Sequence, residues 1–414
     1  MSAADTDAAS LRALLAPEAV RERAHELLTL AEAGALDHFA FHPAGLIEAA
    51  ERTAAETRRA YPDLHVPFHS RWRHFELDGD DLWAGIADAA GLAGARRARA
   101  EIDLAVVSVL TDAGAGAGWS YRDAGTGRTF ARSEGLAVAG LRWFAAGGLS
   151  AAGPDDPFRA DTARLRGVTE AELAEAFQAG SGNPLVGCGP RARLLNALGA
   201  ALEAQPGIFA ADGAARPGGL FDHLRARATG GALPAREILV ALLRGLGGIW
   251  PHGLTLDGVA LGDTGRHPKL RRNDGTDGLV PFHKLSQWMS YSLIEPLQRG
   301  GLDVTGIDAL TGLAEYRNGG LFVDAGALTL KNPAAADRAH APYDPLVVEW
   351  RALTIALLDR TAGMVRAALG PGAAGLPLAS ILQGGTWTAG RTIAAEKRPD
   401  GPPPLTVASD GTVF

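Results

Sequence analysis

Four short segments gather the side chains that can do chemistry. One runs Leu310-Thr-Gly-Leu-Ala-Glu-Tyr-Arg-Asn-Gly-Gly-Leu-Phe-Val-Asp324 and sets Glu315 and Asp324 around an aromatic and an arginine. Two carboxylates suit a reaction through a cationic sugar centre, where one anion steadies the charge and the other orients water. Arg317 is placed to bind a phosphate or carboxylate; alternatively it pairs with Glu315 or Asp324 and only holds the turn. Tyr316 and Asn318 would line the same site. Acidic residues are also common in turns without any chemistry.

A second segment, Pro67-Phe-His-Ser-Arg-Trp-Arg-His-Phe-Glu76, packs two arginines, two histidines and a tryptophan into ten residues. Stacking by Trp72, hydrogen bonding by His69 and guanidinium forks on Arg71 and Arg73 fit a planar group beside an anion or polyol. The bland alternative is a structural turn locked by internal salt bridges. His65, His69 and His74 invite a metal, but Pro67 breaks the helical spacing and no carboxylate completes a zinc motif. No metal and no cofactor is therefore expected.

The third segment is Asp277-Gly-Leu-Val-Pro-Phe-His-Lys-Leu-Ser-Gln-Trp-Met-Ser-Tyr-Ser-Leu-Ile-Glu-Pro296. Lys284, Trp288, Tyr291 and Glu295 fall on one helical stripe, with His283, Gln287 and Ile294 beside it. Aromatics mixed with hydrogen-bonding groups are how ligand pockets are lined. Otherwise Trp288 and Tyr291 are core and Lys284 snorkels over them. The fourth segment, Val347-Val-Glu-Trp-Arg-Ala-Leu-Thr, interrupts an apolar helix with Glu349. That carboxyl is either paired with an arginine or raised in pKa and able to act as an acid.

Weaker signals are Arg132-Ser-Glu-Gly135, Asn183-Pro-Leu-Val-Gly187 and Gly384-Gly-Thr-Trp-Thr-Ala-Gly-Arg391. The Gly-Gly pair could offer backbone N–H groups to an anion. It lacks the lysine of a P-loop, and no G-x-G-x-x-G opens a strand–helix unit. Cys188 sits in a Gly/Pro turn and reads as a packing residue.

The elements that position these segments read mostly as helix. Apolar residues recur at helical spacing over 9–33, 44–61, 80–90, 96–112, 169–179, 191–204, 218–228, 234–246, 281–298, 303–312, 345–369 and 376–382. Ser133 is the expected N-cap of another helix. Strand signals are sparse: a hairpin over 321–330 around Ala325-Gly326, and one over 405–414 with Asp410-Gly411 as its turn. Residues 261–277 are charged and poor in apolar groups, either an ordered active-site loop or a lid.

Composition sets the outer bounds. The chain has 414 residues, 47% hydrophobic and 21% charged, enough for a sizeable core. With a net charge of −7 and no basic cluster, nucleic acid is not the expected partner. A lone cysteine excludes an intrachain disulfide and suits a reducing compartment. No apolar run approaches the ~20 residues of a spanning helix, and residues 1–9 lack the basic start of a secretory signal. A cytoplasmic protein without membrane contact is expected; its oligomeric state stays open. Only four of the 40 basic residues are lysines, which draws attention to Lys284.

Taken together, PFHSRWRHFE, RSEGLAVAGL, NPLVG, DGLVPFHKLSQWMSYSLIEPL, GLAEYRNGGLFVD, VEWRALT, GGTWTAGR and SDGTVF resemble the uracil-catabolism family of the Urc-four type in yeast and Urg-three type in fission yeast. The likeness runs from about Pro17 to Phe414. It implies a pathway that opens uracil through a ribosylated intermediate and releases urea. The order of motifs is also similar to that of queuosine-salvage N-glycosylases, helical enzymes carrying Asp-Tyr-Arg where this chain has Glu315-Tyr-Arg317.

These readings converge on a mainly α protein. A variable segment 1–16 is followed by one large helical catalytic domain over 17–414, as a single body or two tightly packed lobes. A DNA-glycosylase-like helical core is one form it could take, with one or two short β-hairpins in the C-terminal third. The expected activity is an N-glycosidase-type hydrolase of ribosylurea or its 5-phosphate. Its ligand would be a ribosylated urea or a pyrimidine-derived nucleotide. Glu315 or Asp324 supplies the anion, and His283 or Glu349 protonates the leaving nitrogen. Arg71, Arg73, Lys284 and Arg317 are the phosphate candidates, and Trp72, Trp288 and Tyr291 cover sugar or urea. The competing expectations are a metal-dependent amidohydrolase acting on the ureido group and a non-catalytic partner of the pathway's ring-opening enzyme.

Overall fold

The fold is mainly helical, as the periodicity predicts. The computed structural model describes residues 3–408, with side chains from residue 7. Strands are short and pair only two at a time, with no larger sheet among the described residues. No helix among them is long and apolar enough to cross a membrane.

The chain divides into two compact units, each built from segments distant in sequence. The first comprises residues 3–69, Gly253–Gln287 and Gly306–Ala408. The second comprises Ser70–His252 and Trp288–Thr305. The crossings between His69 and Ser70 and between Gln287 and Trp288 fall inside two of the chemistry-bearing segments.

The first unit is organised by the 25-residue helix Pro345–Leu369, whose Pro345 takes the first helical position. It packs against the helices Pro17–Glu32 and Ala44–Ala60 and against the shorter Tyr316–Asp324. Sixteen of its residues are buried, Glu349 and Arg351 among them. Each buried Leu or Val contributes about 1.5–3 kcal/mol by leaving water. The N-terminal helix Ala3–Ala13 is part of the same unit, and Leu11 and Leu14 are buried.

The helix Trp387–Lys397 lies against Tyr316–Asp324. A Cβ on Gly390 would sit 2.2 Å from the Arg317 carbonyl oxygen, so this approach requires glycine. Before it, residues Leu382–Thr386 form a π turn. Side chains at Gly384 and Gly385 would strike Thr57 Oγ1 and the Thr53 carbonyl. The Gly-Gly pair therefore serves close helix packing, where the sequence offered an anion cradle.

In the second unit the helix Gly94–Leu110 is buried along most of its length and packs against Arg132–Ala145 and Gly219–Arg225. Local signals account for several starts. Asp81 caps Leu82–Ala89 by accepting from the Trp83 and Ala84 N–H groups. Thr169 and Glu172 form a capping box ahead of Glu170–Ala176.

Other expectations are corrected. Ser133 lies inside the helix Arg132–Ala145, whose cap position is Ala131. The stretch expected as a helix over 303–312 is a strand, Asp303–Thr305, and a short 3-10 turn, Ile307–Ala309, broken at Gly306 with φ 61°. The hairpin expected over 321–330 does not form. Residues through Asp324 are helix, and Leu328–Leu330 pairs instead with Phe39–Phe41. Leu-Phe-Val reads as strand from propensity, but an N-cap upstream starts a helix that runs through it. The expected turn at Asp410-Gly411 lies outside the described residues; the strand before it, Thr406–Val407, pairs in parallel with Ala339–His340. The segment over 261–277 is ordered: Thr264–Arg266 pairs with Leu279–Pro281, and His267 and Leu270 are buried.

Candidate functional site

The first-unit site is built at the start of the helix Tyr316–Asp324. Glu315 is its N-cap, and its carboxylate accepts the N–H groups of Arg317 at 2.8 Å and of Asn318. Glutamate is not among the residues that usually cap helices, so its presence here calls for a further reason. Burial raises its pKa above the ordinary carboxylate value. The two N–H groups and the charges of Lys284 and Arg317 oppose that rise without cancelling it. A carboxyl held this way titrates closer to neutrality, as proton-transferring carboxyls do.

Polar atoms without protein partners surround this turn. Gln287 is fully buried; its Oε1 accepts from the Thr311 N–H at 3.3 Å, and its Nε2 has no partner. Asn318, 2% exposed, donates through Nδ2 to the Leu313 carbonyl at 3.3 Å and leaves Oδ1 without one. Trp350, whose indole lies against Gly319, leaves Nε1 unpaired. A buried polar atom without a partner costs about 1–3 kcal/mol, so such a group is a poor way to build a core.

Lys284 opens the helix Lys284–Arg299, three residues later than Pro281 suggested. Pro281 ends a strand, and His283 turns the chain with φ 50°, rare for a non-glycine residue. Asp263 holds this turn. Its carbonyl accepts from the Phe282 and His283 N–H groups, and its carboxylate accepts from the Lys284 N–H at 3.0 Å. Arg351 meets the same carboxylate at 2.9 and 2.7 Å. Burial would raise the Asp263 pKa, but the Arg351 charge and hydrogen bonds outweigh it and bring the value down to about 2.

The remaining proposed proton donors have structural partners. His283 is buried, with Nε2 beside the Leu14 carbonyl oxygen at 3.0 Å, and burial lowers its pKa. Burial therefore disfavours the protonated form that the expected proton donor would need. Glu349 is fully buried; it accepts from the His38 and Phe39 N–H groups at 3.1 and 2.7 Å and faces His267 at 3.3 Å. Its partner is not Arg351, which belongs to Asp263, and its oxygens serve to anchor a strand. Asp324 forms a two-pronged pair with Arg398 at 2.7 and 2.6 Å, so a guanidinium occupies the second expected anion. Arg317 directs Nη1 to the Gly401 carbonyl at 2.8 Å and lies over the Tyr316 ring. His69 pairs through Nδ1 with Gln383 Oε1 at 3.1 Å, on the π turn, and burial lowers its pKa.

The second unit gathers another cluster. Arg71 is fully buried, with Nε on Ser108 at 2.7 Å and Nη1 3.0 Å from Asp112. It lies 5.8 Å over the Trp288 ring, which His74 meets edge-on. Burial lowers the Arg71 pKa against the pull of Asp112 and Glu134. Arg73 bridges Glu76 and Glu295 at 3.0 and 2.7 Å, so it is committed within the protein where a phosphate contact was expected. Trp72 uses its ring N–H on the Ser292 carbonyl at 2.7 Å and, like Tyr291, is buried in the core. Neither is placed to cover a ligand in the way the sequence suggested.

His65 is exposed and pairs with Asp63. Among the described residues no group of three His, Cys, Asp or Glu side chains is arranged to hold a metal ion. Asp263, Asp112, Ser108, His267 and Trp350 escaped the sequence reading of the site. Asp263 sat in a segment read as loop, and nothing local links it to Arg351 across 88 residues.

Comparison with known proteins gives this geometry its setting. The chain belongs to the family described as Protein of unknown function (DUF1688), which matches residues 13–414. It is 39% identical over 384 residues to Uracil catabolism protein 4 of Lachancea kluyveri, covering 84% of this chain and 85% of that protein. It is 35% identical over 410 residues to Protein urg3 of Schizosaccharomyces pombe, covering 97% and 98%.

Proposed function

We propose that the protein is an enzyme of uracil catabolism that hydrolyses the ribose C1–N bond of ribosylurea, or of its 5-phosphate, to urea and ribose or ribose 5-phosphate respectively. The name of its Lachancea kluyveri relative supports the pathway. The observation that carries the reaction is Glu315, a half-buried N-cap carboxyl whose desolvation raises its pKa, with Lys284 within electrostatic reach.

Urea is a poor leaving group, so its nitrogen must take a proton as the C1–N bond breaks. Protonated Glu315 gives that proton, and the bonding pair leaves with nitrogen. The carboxylate so formed faces the cationic sugar, with the Arg317 and Asn318 N–H groups steadying its charge. Water then adds to C1 and returns a proton to Glu315, which closes the cycle with atoms and charge balanced. One carboxyl acts first as acid and then as base, consistent with the commitment of Asp324 to Arg398.

The test is incubation with ribosylurea and with its 5-phosphate, assaying ribose product, urea and ammonia separately, with and without EDTA. Equal amounts of sugar and urea without ammonia, indifferent to EDTA, are expected. Ammonia, or loss of activity with EDTA, would replace this reading with a metal amidohydrolase. No product from either substrate would replace it with a non-catalytic pathway partner.

A further inference from the structure

We propose that Gln287 and Asn318 are the residues that recognise the ureido group, acting as a paired donor and acceptor beside Glu315. The choice of ligand rests on the ribosylurea reading; the polar pattern stands on the geometry.

Each carboxamide is fixed by one end. Gln287 Oε1 accepts from Thr311 N–H, which fixes the amide so that Nε2 is the end left over. Asn318 Nδ2 donates to the Leu313 carbonyl, so Oδ1 is left over. The two anchors are two residues apart in one short segment, which sets their Cα atoms no more than about 7 Å apart. Glu315 follows Leu313 by two residues and accepts the Asn318 N–H. Both side chains are 2% exposed or less.

The unpaired atoms are complementary. An N–H donor from Gln287 matches a carbonyl oxygen, and the Asn318 acceptor matches an N–H. A ureido group presents both on adjacent atoms; an ester presents only the carbonyl. The Trp350 indole N–H, also unpaired, lies against Gly319, the residue after Asn318, and is a second donor that suits the other lone pair of a urea oxygen. A site built to hydrogen-bond a ligand rejects the analogue lacking those groups, because its own buried atoms then stay unpaired.

The test is an NMR titration of the whole protein with N-ethylurea and with ethyl acetate, which has nearly the same shape and no N–H. Saturable N-ethylurea binding and at least about tenfold weaker ethyl acetate binding are expected. Gln287→Met and Asn318→Leu should each weaken N-ethylurea by at least about tenfold, whereas Lys269→Ala, on a lysine paired with Asp37, should not. Equal binding of the two ligands, no saturable N-ethylurea binding, or folded variants that bind like wild type would overturn the proposal. If the variants fail to fold, the two-ligand comparison on the wild type decides alone. Selective N-ethylurea binding without ribosylurea hydrolysis would uphold recognition and remove the reaction. Hydrolysis with KM unchanged in Gln287→Met and Asn318→Leu would do the reverse.

Discussion

Asp263 and Glu315 are carboxyls of the same unit, and Lys284 serves both. Its backbone N–H donates to Asp263, and its charge bears on Glu315. Burial is the largest influence on each, yet their pKa values move in opposite directions. The difference is the partner. Asp263 has a buried guanidinium on both oxygens; Glu315 has two backbone N–H groups and the nearby charges of Lys284 and Arg317. A saturated buried pair holds a turn in place. A carboxyl short of full compensation holds a proton more readily than an ordinary carboxylate. The contrast teaches that the buried guanidinium of Arg351, set against desolvation, decides which way a carboxyl's pKa moves in this fold.

Substitution breaks that contrast in different ways at the two sites. The largest expected effect is on turnover: Glu315→Gln should lower urea release by about 10²–10⁴-fold, read in single-turnover assays, while thermal unfolding shows a folded protein. Next is stability. Asp263→Asn leaves Arg351 buried without its anion and should cost about 3–5 kcal/mol, measured by urea denaturation.

The pH dependences should also oppose one another. Asp263 has a lowered pKa, so its contribution to stability is present above the unfolded value of 3.8 and is lost as pH falls through about 2. Glu315 has a raised pKa, so protonated enzyme, and with it kcat, declines as pH rises through that value. Lys284→Met removes a charge that favours the ionised form, so the alkaline limb of the kcat profile should move to higher pH. A limb that stays in place would detach Lys284 from Glu315. The smallest effect is expected at Gly390→Ala. The added methyl meets the Arg317 carbonyl at 2.2 Å and should cost about 1–3 kcal/mol, seen as a lower melting temperature.

The helices were largely legible because their signals are local. The helix Pro345–Leu369 matches its apolar pattern residue for residue, and Thr169 and Asp81 sit where caps belong. The hairpin expected over 321–330 failed because Glu315 starts a helix that carries Leu321, Phe322 and Val323 with it. The site was legible in its membership: Glu315, Lys284, Gln287 and Asn318 stood out by type. Their roles were not, since these depend on partners far away in sequence. Asp324 looks like Glu315 in the sequence and differs only because Arg398, 74 residues on, reaches it. Glu349 beside Arg351 looks like an ion pair, yet two residues along a helix place them on opposite faces, toward His267 and toward Asp263.

The central claim is that Glu315 delivers the proton a poor leaving group needs. The most direct test compares wild type and Glu315→Gln on ribosylurea and on a nitrophenyl riboside, whose leaving group departs without protonation. The account predicts a loss of at least about 100-fold on ribosylurea and a much smaller loss on the nitrophenyl riboside. Equal losses on the two substrates would contradict it, because Glu315 would then contribute something other than that proton.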